Sequence, residues 1–205
     1  ALLPVVRGTG TLLIEVNADS MPVWQQAIKR FLDVFLSLIS TVLLVPLFLF
    51  LAIAVKMSSP GSILFFQERV GRNGRTFKII KFRTMFIGSE KSGPQLSSSN
   101  DPRITPIGRF MRKLRLDEFP QFINVIKGDM SLVGPRPERQ YYIDKIVEFE
   151  PQYLHLTKVR PGITSWGQVK YGYAENVEQM LQRMKFDLLY LKNRSLALDF
   201  KIMLY

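Results

Sequence analysis

The sequence predicts a helix-dominated α+β fold built on one membrane-embedded element. Three observations lead there. Residues 31–55 are an apolar run whose only ionisable residue is Asp33, near its start. Two short runs rich in aromatic and β-branched residues, 63–67 and 76–83, flank a glycine-bearing turn and read as a strand pair. Most of the remaining chain shows apolar residues at helical spacing or helix start signals.

Taken in order, residues 1–26 read as a linker from an upstream domain, and residues 27–57 as the membrane helix. The apolar run exceeds the roughly 20 residues that a spanning helix needs. Pro46 lies inside it, lacks a backbone donor and crowds the preceding turn, so a break is expected near Val45-Pro46. Lys29 and Arg30 precede the run. Lys56, Arg69, Arg72, Arg75, Lys78, Lys81 and Arg83 follow it. Positive charge is normally kept on the cytoplasmic side, so basic flanks at both ends suit a helix that enters and leaves by one face. A kinked spanning helix stays open on the residues alone.

Residues 58–205 read as a small mixed catalytic domain. Ser58-Ser59-Pro60-Gly61 is a turn. The Ser/Gly/Asn-rich stretch 87–101 reads as a mobile loop. Residues 105–113 and 117–126 read as helices. Gly134-Pro135-Arg136-Pro137 is a rigid turn, 138–149 a helix, and 159–164 a second Pro/Gly turn. In 176–193, Val177, Met180, Leu181, Met184, Leu188 and Leu191 share one helical face, which suits packing on a core. The apolar stretch 195–205 suits the headgroup layer, and its abrupt end suggests truncation.

Composition narrows the chemistry. The formal net charge is +11, which favours an anionic partner such as a phospholipid surface, a nucleic acid or a phosphorylated substrate. The chain has no cysteine, which excludes disulfides and thiolate nucleophiles. His155 is the only histidine and reads as an ordinary packed or surface residue. Catalysis therefore has to run on carboxylates, Lys, Arg, hydroxyls or Tyr.

Asp117-Glu118 follows the basic stretch Arg109, Arg112, Lys113 and Arg115. Asp117 stands where a helix would begin, so plain capping is the simplest reading. Its company argues for more. Arg136 and Arg160 sit in rigid Pro/Gly turns, and guanidinium forks match phosphate oxygens. Asp129 adds a carboxylate, and carboxylates with substrate phosphates are what Mg²⁺ prefers. Several arginines, two or three acids and no Cys fit phosphoryl transfer better than acyl transfer.

Long motifs then carry a resemblance: KRFLD (29–33), KFRTM (81–85), NDPRITPIG (100–108), LRLDEFPQFINVIKGDMSLVGPRP (114–137) and VRPGITSWGQV (159–169). Over residues 27–205 the chain resembles the bacterial sugar transferase family of monotopic polyprenol-phosphate phosphoglycosyl transferases. The resemblance implies transfer of a sugar-1-phosphate from a UDP-sugar to undecaprenyl phosphate, initiating polysaccharide or glycoconjugate assembly. It implies Asp117 as nucleophile and metal ligand, with Glu118 assisting in metal binding or proton handling. Arg136 would clamp phosphate, and Lys81, Arg83, Arg112, Asp129 and Arg160 would bind phosphates or order the site. It further implies Mg²⁺ (or Mn²⁺), a re-entrant hairpin broken at Pro46, and an active site on the cytoplasmic face of the inner membrane. A homodimer is left open, and nucleic acid is not expected. The sequence departs from the family pattern at Ser165, at Phe122-Ile123 and at Val45, none of which touches the acid pair. The rival reading is a membrane-anchored basic binding or scaffold module without catalysis.

Overall fold

The computed structural model describes residues 21–89, 93–97 and 101–205. Most of the expected linker, and parts of the 87–101 loop, lie outside the described residues. Helix α1 (Val23–Leu43) begins four residues inside the stretch read as linker. It breaks at Leu44, and α2 (Val45–Ser58) leaves at 63° to it. Pro46 falls in the first turn of α2, the one place where a missing N–H costs nothing. Among the described residues no single helix is long and apolar enough to cross a membrane, although the bent pair together passes on length and composition.

Helix α1 is inverted relative to a helix of a water-soluble protein. Its buried residues are Lys29, Asp33 and Ser37, four apart on one face. Its exposed residues include Val23, Trp24, Phe31, Leu38, Val42 and Leu43. Burying Lys29 and Asp33 requires partners, and both have them. Lys29 Nζ donates to Asp199 Oδ2 (2.5 Å) and to the Val133 carbonyl (3.0 Å). Asp33 accepts from Ser131 Oγ (2.6 Å) and from the Leu132 N–H (3.2 Å). Arg30 donates to the carbonyls of Val125, Ile126 and Met130. These bonds bind α1 to residues 125–133 and to Asp199.

Strands β1 (Leu64–Val70) and β2 (Thr76–Phe82) form an antiparallel hairpin, with Leu64 opposite Phe82 and Val70 opposite Thr76. Asn73 (φ 57°) and Gly74 (φ 75°) close its turn in the left-handed region, which Asn and Gly tolerate. The hairpin is pegged to α4 (Gln121–Lys127) by Asn124. Its amide accepts from the Ile80 N–H (3.0 Å) and donates to the Lys78 carbonyl (2.9 Å). Helix α3 (Pro106–Lys113) is capped by Thr105, whose hydroxyl accepts from the Gly108 N–H.

Two expectations need correction. The helix expected over 117–126 is divided: a 3₁₀ turn, Leu116–Glu118, precedes α4, and neither start has a side-chain cap. Asp117 is therefore not a capping acid. The stretch 159–164 is more than a turn, because β4 (Gly162–Thr164) pairs in parallel with β3 (Ser131–Val133). Only glycine permits this crossing. A Cβ on Gly134 would lie 2.5 Å from the Arg160 carbonyl oxygen, and one on Gly162 would collide with Gly134's own nitrogen.

Helix α5 (Gln140–Phe149) starts two residues later than expected. Helices α6 (Trp166–Lys170) and α7 (Val177–Lys192) follow, α7 capped by Asn176. Met180, Met184, Leu188 and Leu191 of α7 are buried against Tyr142, Ile143, Ile146 and Leu156, each burial contributing about 1.5–3 kcal/mol. The core-packing expectation for this face holds. Helix α8 (Leu196–Met203) is capped by Ser195. Like α1 it buries an acid, Asp199, and exposes Phe200 and Met203, followed by Leu204 and Tyr205. Tyr190 Oη donates to Asp199 Oδ1 (2.7 Å), so the acid that neutralises Lys29 is fully engaged.

Candidate active site

The acid pair sits on a backbone bent for display. Arg115 adopts a left-handed conformation (φ 56°), which for a long side chain costs on the order of 1–3 kcal/mol. The turn it begins presents Asp117 and Glu118, which are 7% and 5% exposed. Three other elements converge on them. Lys81 comes from β2, Arg136 from the turn after β3, and Arg112 from the last turn of α3.

The two acids are treated differently. Glu118 Oε1 accepts from Lys81 Nζ (2.7 Å) and Arg136 Nη2 (3.3 Å), and Oε2 lies 4.0 Å from Arg115 Nη1. Burial pushes the Glu118 carboxyl up, but Lys81 and Arg136 outweigh it and hold the group well below the usual carboxylate range. Among the described residues Asp117 has no ion pair within 4 Å and no hydrogen bond to another side chain; its carboxylate accepts from its own main-chain N–H. Burial pushes its carboxyl up, Glu118's charge adds to this, and Lys81 and Arg112 oppose it. One acid is an electrostatic anchor. The other is a buried carboxylate that no cation holds in an ion pair.

The Arg136 turn is itself held in place. The Gly134 N–H donates to the Thr164 carbonyl (3.1 Å), and the Gly162 N–H donates to the Pro135 carbonyl (2.9 Å). From α7, buried Asp187 accepts from the N–H of Gly167 (2.8 Å) and from the main-chain N–H of Arg136. Burial pushes the Asp187 carboxyl up to about 6, with those N–H groups pulling the other way. Next along, Glu138 is clasped by Arg69 Nη1 (3.0 Å) and Arg183 Nη2. Burial raises Glu138's pKa, and Arg183 and Arg69 reverse the shift. Cations and acids thus alternate inward from Lys81 to Arg183.

The sequence-derived site residues are not all brought together. Lys81, Arg112, Asp117, Glu118 and Arg136 share one locale. Arg112 donates to Thr84 Oγ1 (2.8 Å) and Ser97 Oγ (2.7 Å), which orders it at the edge of that locale. Arg83 is committed elsewhere: its guanidinium donates to the carbonyls of Val55, Ser59 and Pro60, closing the end of α2. Asp129 accepts from Asn124 Nδ2 (3.3 Å) beside the hairpin peg. Arg160 donates through Nε to the Gly128 carbonyl (3.1 Å) and lines a separate cleft. His155 is half-buried and takes no part in the acid cluster.

Sequence reasoning missed Arg69, Glu138, Arg183 and Asp187 as supports, and Arg115 as a site residue. Arg115 stacks over the exposed Tyr173 ring, 4.8 Å from its centroid. Its place directly before the acid pair was the available signal. Among the described residues no three Asp, Glu or His side chains group to hold a metal ion.

Comparison with known proteins bears on this arrangement. Residues 24–205 match the family model described as Bacterial sugar transferase. A UDP-N-acetylgalactosamine-undecaprenyl-phosphate N-acetylgalactosaminephosphotransferase of Aeromonas hydrophila is 45% identical over 172 residues, 84% of this chain and 41% of the relative. A UDP-glucose:undecaprenyl-phosphate glucose-1-phosphate transferase of Escherichia coli (strain K12) is 39% identical over 202 residues, 98% of this chain and 42% of the relative. A protein of the same name from Caulobacter vibrioides is 40% identical over 208 residues, 98% of this chain and 77% of the relative. The chain thus spans about two fifths of the first two relatives and about three quarters of the third.

Proposed function

This chain belongs to the bacterial sugar transferase family, and from that premise we propose that it carries out phosphoglycosyl transfer from a UDP-sugar to undecaprenyl phosphate. The observation that carries the reading is the division of labour within the acid pair: Glu118 is locked by Lys81 and Arg136, while Asp117 is buried without a salt-bridge partner among the described residues.

In the proposed reaction an Asp117 oxygen attacks the sugar-bearing phosphorus. A P–O bond to that phosphorus forms, the pyrophosphate P–O bond breaks, and UMP leaves with the electron pair. Undecaprenyl phosphate then attacks the same phosphorus, releasing the sugar diphosphate lipid and the original carboxylate. Neither step needs a proton if Asp117 is ionised. That spares the site a general base and suits a chain with one histidine. Carboxylate, donor and acceptor are all anionic, so repulsion has to be offset. Arg136 and Lys81 supply positive charge next to Glu118, and Arg112 supplies it from the α3 side.

Mg²⁺ fits the donors present in a limited way. The Asp117 carboxylate, which has no salt-bridge partner among the described residues, suits one ligand, Glu118 Oε2 is the second candidate, and substrate phosphates would complete the shell. When bound, the ion would neutralise phosphate charge. The membrane part of the reading rests on α1 and α2, whose exposed apolar faces and 63° bend suit a re-entrant hairpin. It places the nucleophile at the bilayer edge, on the cytoplasmic face of the inner membrane, where lipid and nucleotide substrates meet.

The test is incubation of the protein in lipid with radiolabelled UDP-sugars, Mg²⁺ and undecaprenyl phosphate. UMP release with a labelled lipid is the expected outcome, lost in Asp117→Asn. Full turnover by that variant would remove Asp117 as nucleophile. A wild-type protein that binds lipid yet releases no UMP from any UDP-sugar would instead favour a binding or scaffold role.

A further inference from the structure

A second concentration of cations lies apart from the acid pair. A shallow, solvent-open cleft is lined by Lys29, Arg30, Arg72, Arg160 and Arg194, with Asp33 its one acid. None of Lys81, Asp117, Glu118 or Arg136 lines it. Some of this charge is already answered. Lys29 pairs with Asp199, and Arg30 is spent on the carbonyls near the end of α4. Asp33 is taken up by Ser131 and Leu132.

Arg160 and Arg72 are different. Arg160 uses only Nε, on the Gly128 carbonyl, which leaves both terminal nitrogens as donors. Arg72 is exposed at the hairpin turn, and its side chain makes no hydrogen bond or ion pair among the described residues. Burial pushes Arg160's pKa down, and the charges of Arg30 and Arg72 push it further the same way. Two guanidinium groups in a concave site, crowded by like charge and with no ion-paired acid among the described residues, are a receptor for a phosphate oxyanion.

We propose that this cleft is an accessory binding site for a phosphate group, separate from the Asp117 site. Its position suits the phosphate of an anionic phospholipid. Lys29, Arg30 and Asp33 lie on the protein-facing side of α1, and the same turns expose Val23, Trp24, Ile28 and Phe31. A headgroup in the cleft would leave its acyl chains beside that apolar face. A soluble phosphate shares the chemistry, and the experiment separates the two sources. The inference requires no catalysis.

The full chain in neutral detergent is titrated by calorimetry with inorganic phosphate, and with dihexanoyl phosphatidylglycerol below its micelle concentration. Dihexanoyl phosphatidylcholine is the zwitterionic control. Phosphatidylglycerol binding, weakened about tenfold by Arg72→Gln and unchanged by Arg136→Gln, is expected. Arg160→Gln gives the same result through the second donor. Equal binding of inorganic phosphate with the same variant pattern supports the site and makes the bare anion sufficient. Binding of neither anionic probe, or binding that ignores Arg72→Gln and vanishes in Arg136→Gln, overturns the proposal. UMP release plays no part in these readouts, so failure here is distinguishable from failure of the transferase reading.

Discussion

Replacing Glu118 by Gln and Lys81 by Met should move the acid limb of the activity profile in opposite directions. Asp117 must be ionised to attack, so the rate rises with pH as that carboxyl loses its proton. Burial and Glu118's charge raise its pKa, while Lys81 lowers it. Glu118→Gln removes a neighbouring negative charge and shifts the limb to lower pH. Lys81→Met removes a positive charge and shifts it to higher pH. The interactions disturbed are large. At 2.7 Å and an effective dielectric constant of about 20, the Lys81–Glu118 attraction is about 6 kcal/mol gross. The Arg136–Glu118 pair at 3.3 Å is about 5 kcal/mol gross. Desolvation cancels much of this, and removing one partner of a buried pair costs about 3–5 kcal/mol net. For Glu118→Gln that corresponds to a melting temperature lower by roughly 6–20 °C. Glu118's pKa is depressed in the fold, so its contribution is present above the unfolded value of 4.5 and fades as pH falls below it. The variant should lose that part of the acid dependence. UMP release measured from pH 5 to 9, alongside thermal unfolding followed from pH 7 down to pH 3, tests both claims. Limbs that shift together, or not at all, would refute the coupling of Asp117 to its neighbours.

Two further outcomes follow from the architecture. Gly162→Ala forces a Cβ into the Gly134 backbone, so it should separate β4 from β3, displace the Arg136 turn, and cost at least about 2 kcal/mol in unfolding experiments along with most activity. A variant as stable and as active as the parent would show that the crossing tolerates a side chain. In sealed vesicles, single cysteines at Gln26 and Ser62, introduced into a chain without native cysteines, should react with an impermeant maleimide from the same side. Labelling from opposite sides would establish a spanning helix.

Much of the fold was readable because local chemistry set it. Pro46 marked the break between α1 and α2, and the aromatic and β-branched runs flanking the glycine-bearing turn at 71–74 marked the hairpin. Thr105, Asn176 and Ser195 stand as caps where α3, α7 and α8 begin. The β3–β4 pair was hidden because three-residue strands carry almost no period, and their partners lie some thirty residues apart. The start of α4 was misplaced because Asp117 and Pro120 look like an N-terminus, whereas the left-handed Arg115 diverts the chain into a 3₁₀ turn.

The site divides in the same way. The acid pair and Arg136 stood out through neighbouring charge and rigid turns. Glu138, Arg69 and Arg183 were invisible, because each has its partner on a distant element. Arg83 was expected to bind phosphate through the family resemblance, and Arg160 through its rigid turn as well. Contacts that no local pattern specifies send one to the end of α2 and the other to a separate cleft.

The central claim is that Asp117 becomes covalently attached to a sugar phosphate. Rapid quenching of the protein with a UDP-sugar and Mg²⁺ in the absence of undecaprenyl phosphate, followed by proteolysis and mass spectrometry, tests it directly. The account predicts a mass increase of one hexose phosphate (or N-acetylhexosamine phosphate) on the peptide containing Asp117, discharged when undecaprenyl phosphate is added. An unmodified Asp117 peptide from a protein that turns over, or an adduct on another side chain, would contradict it.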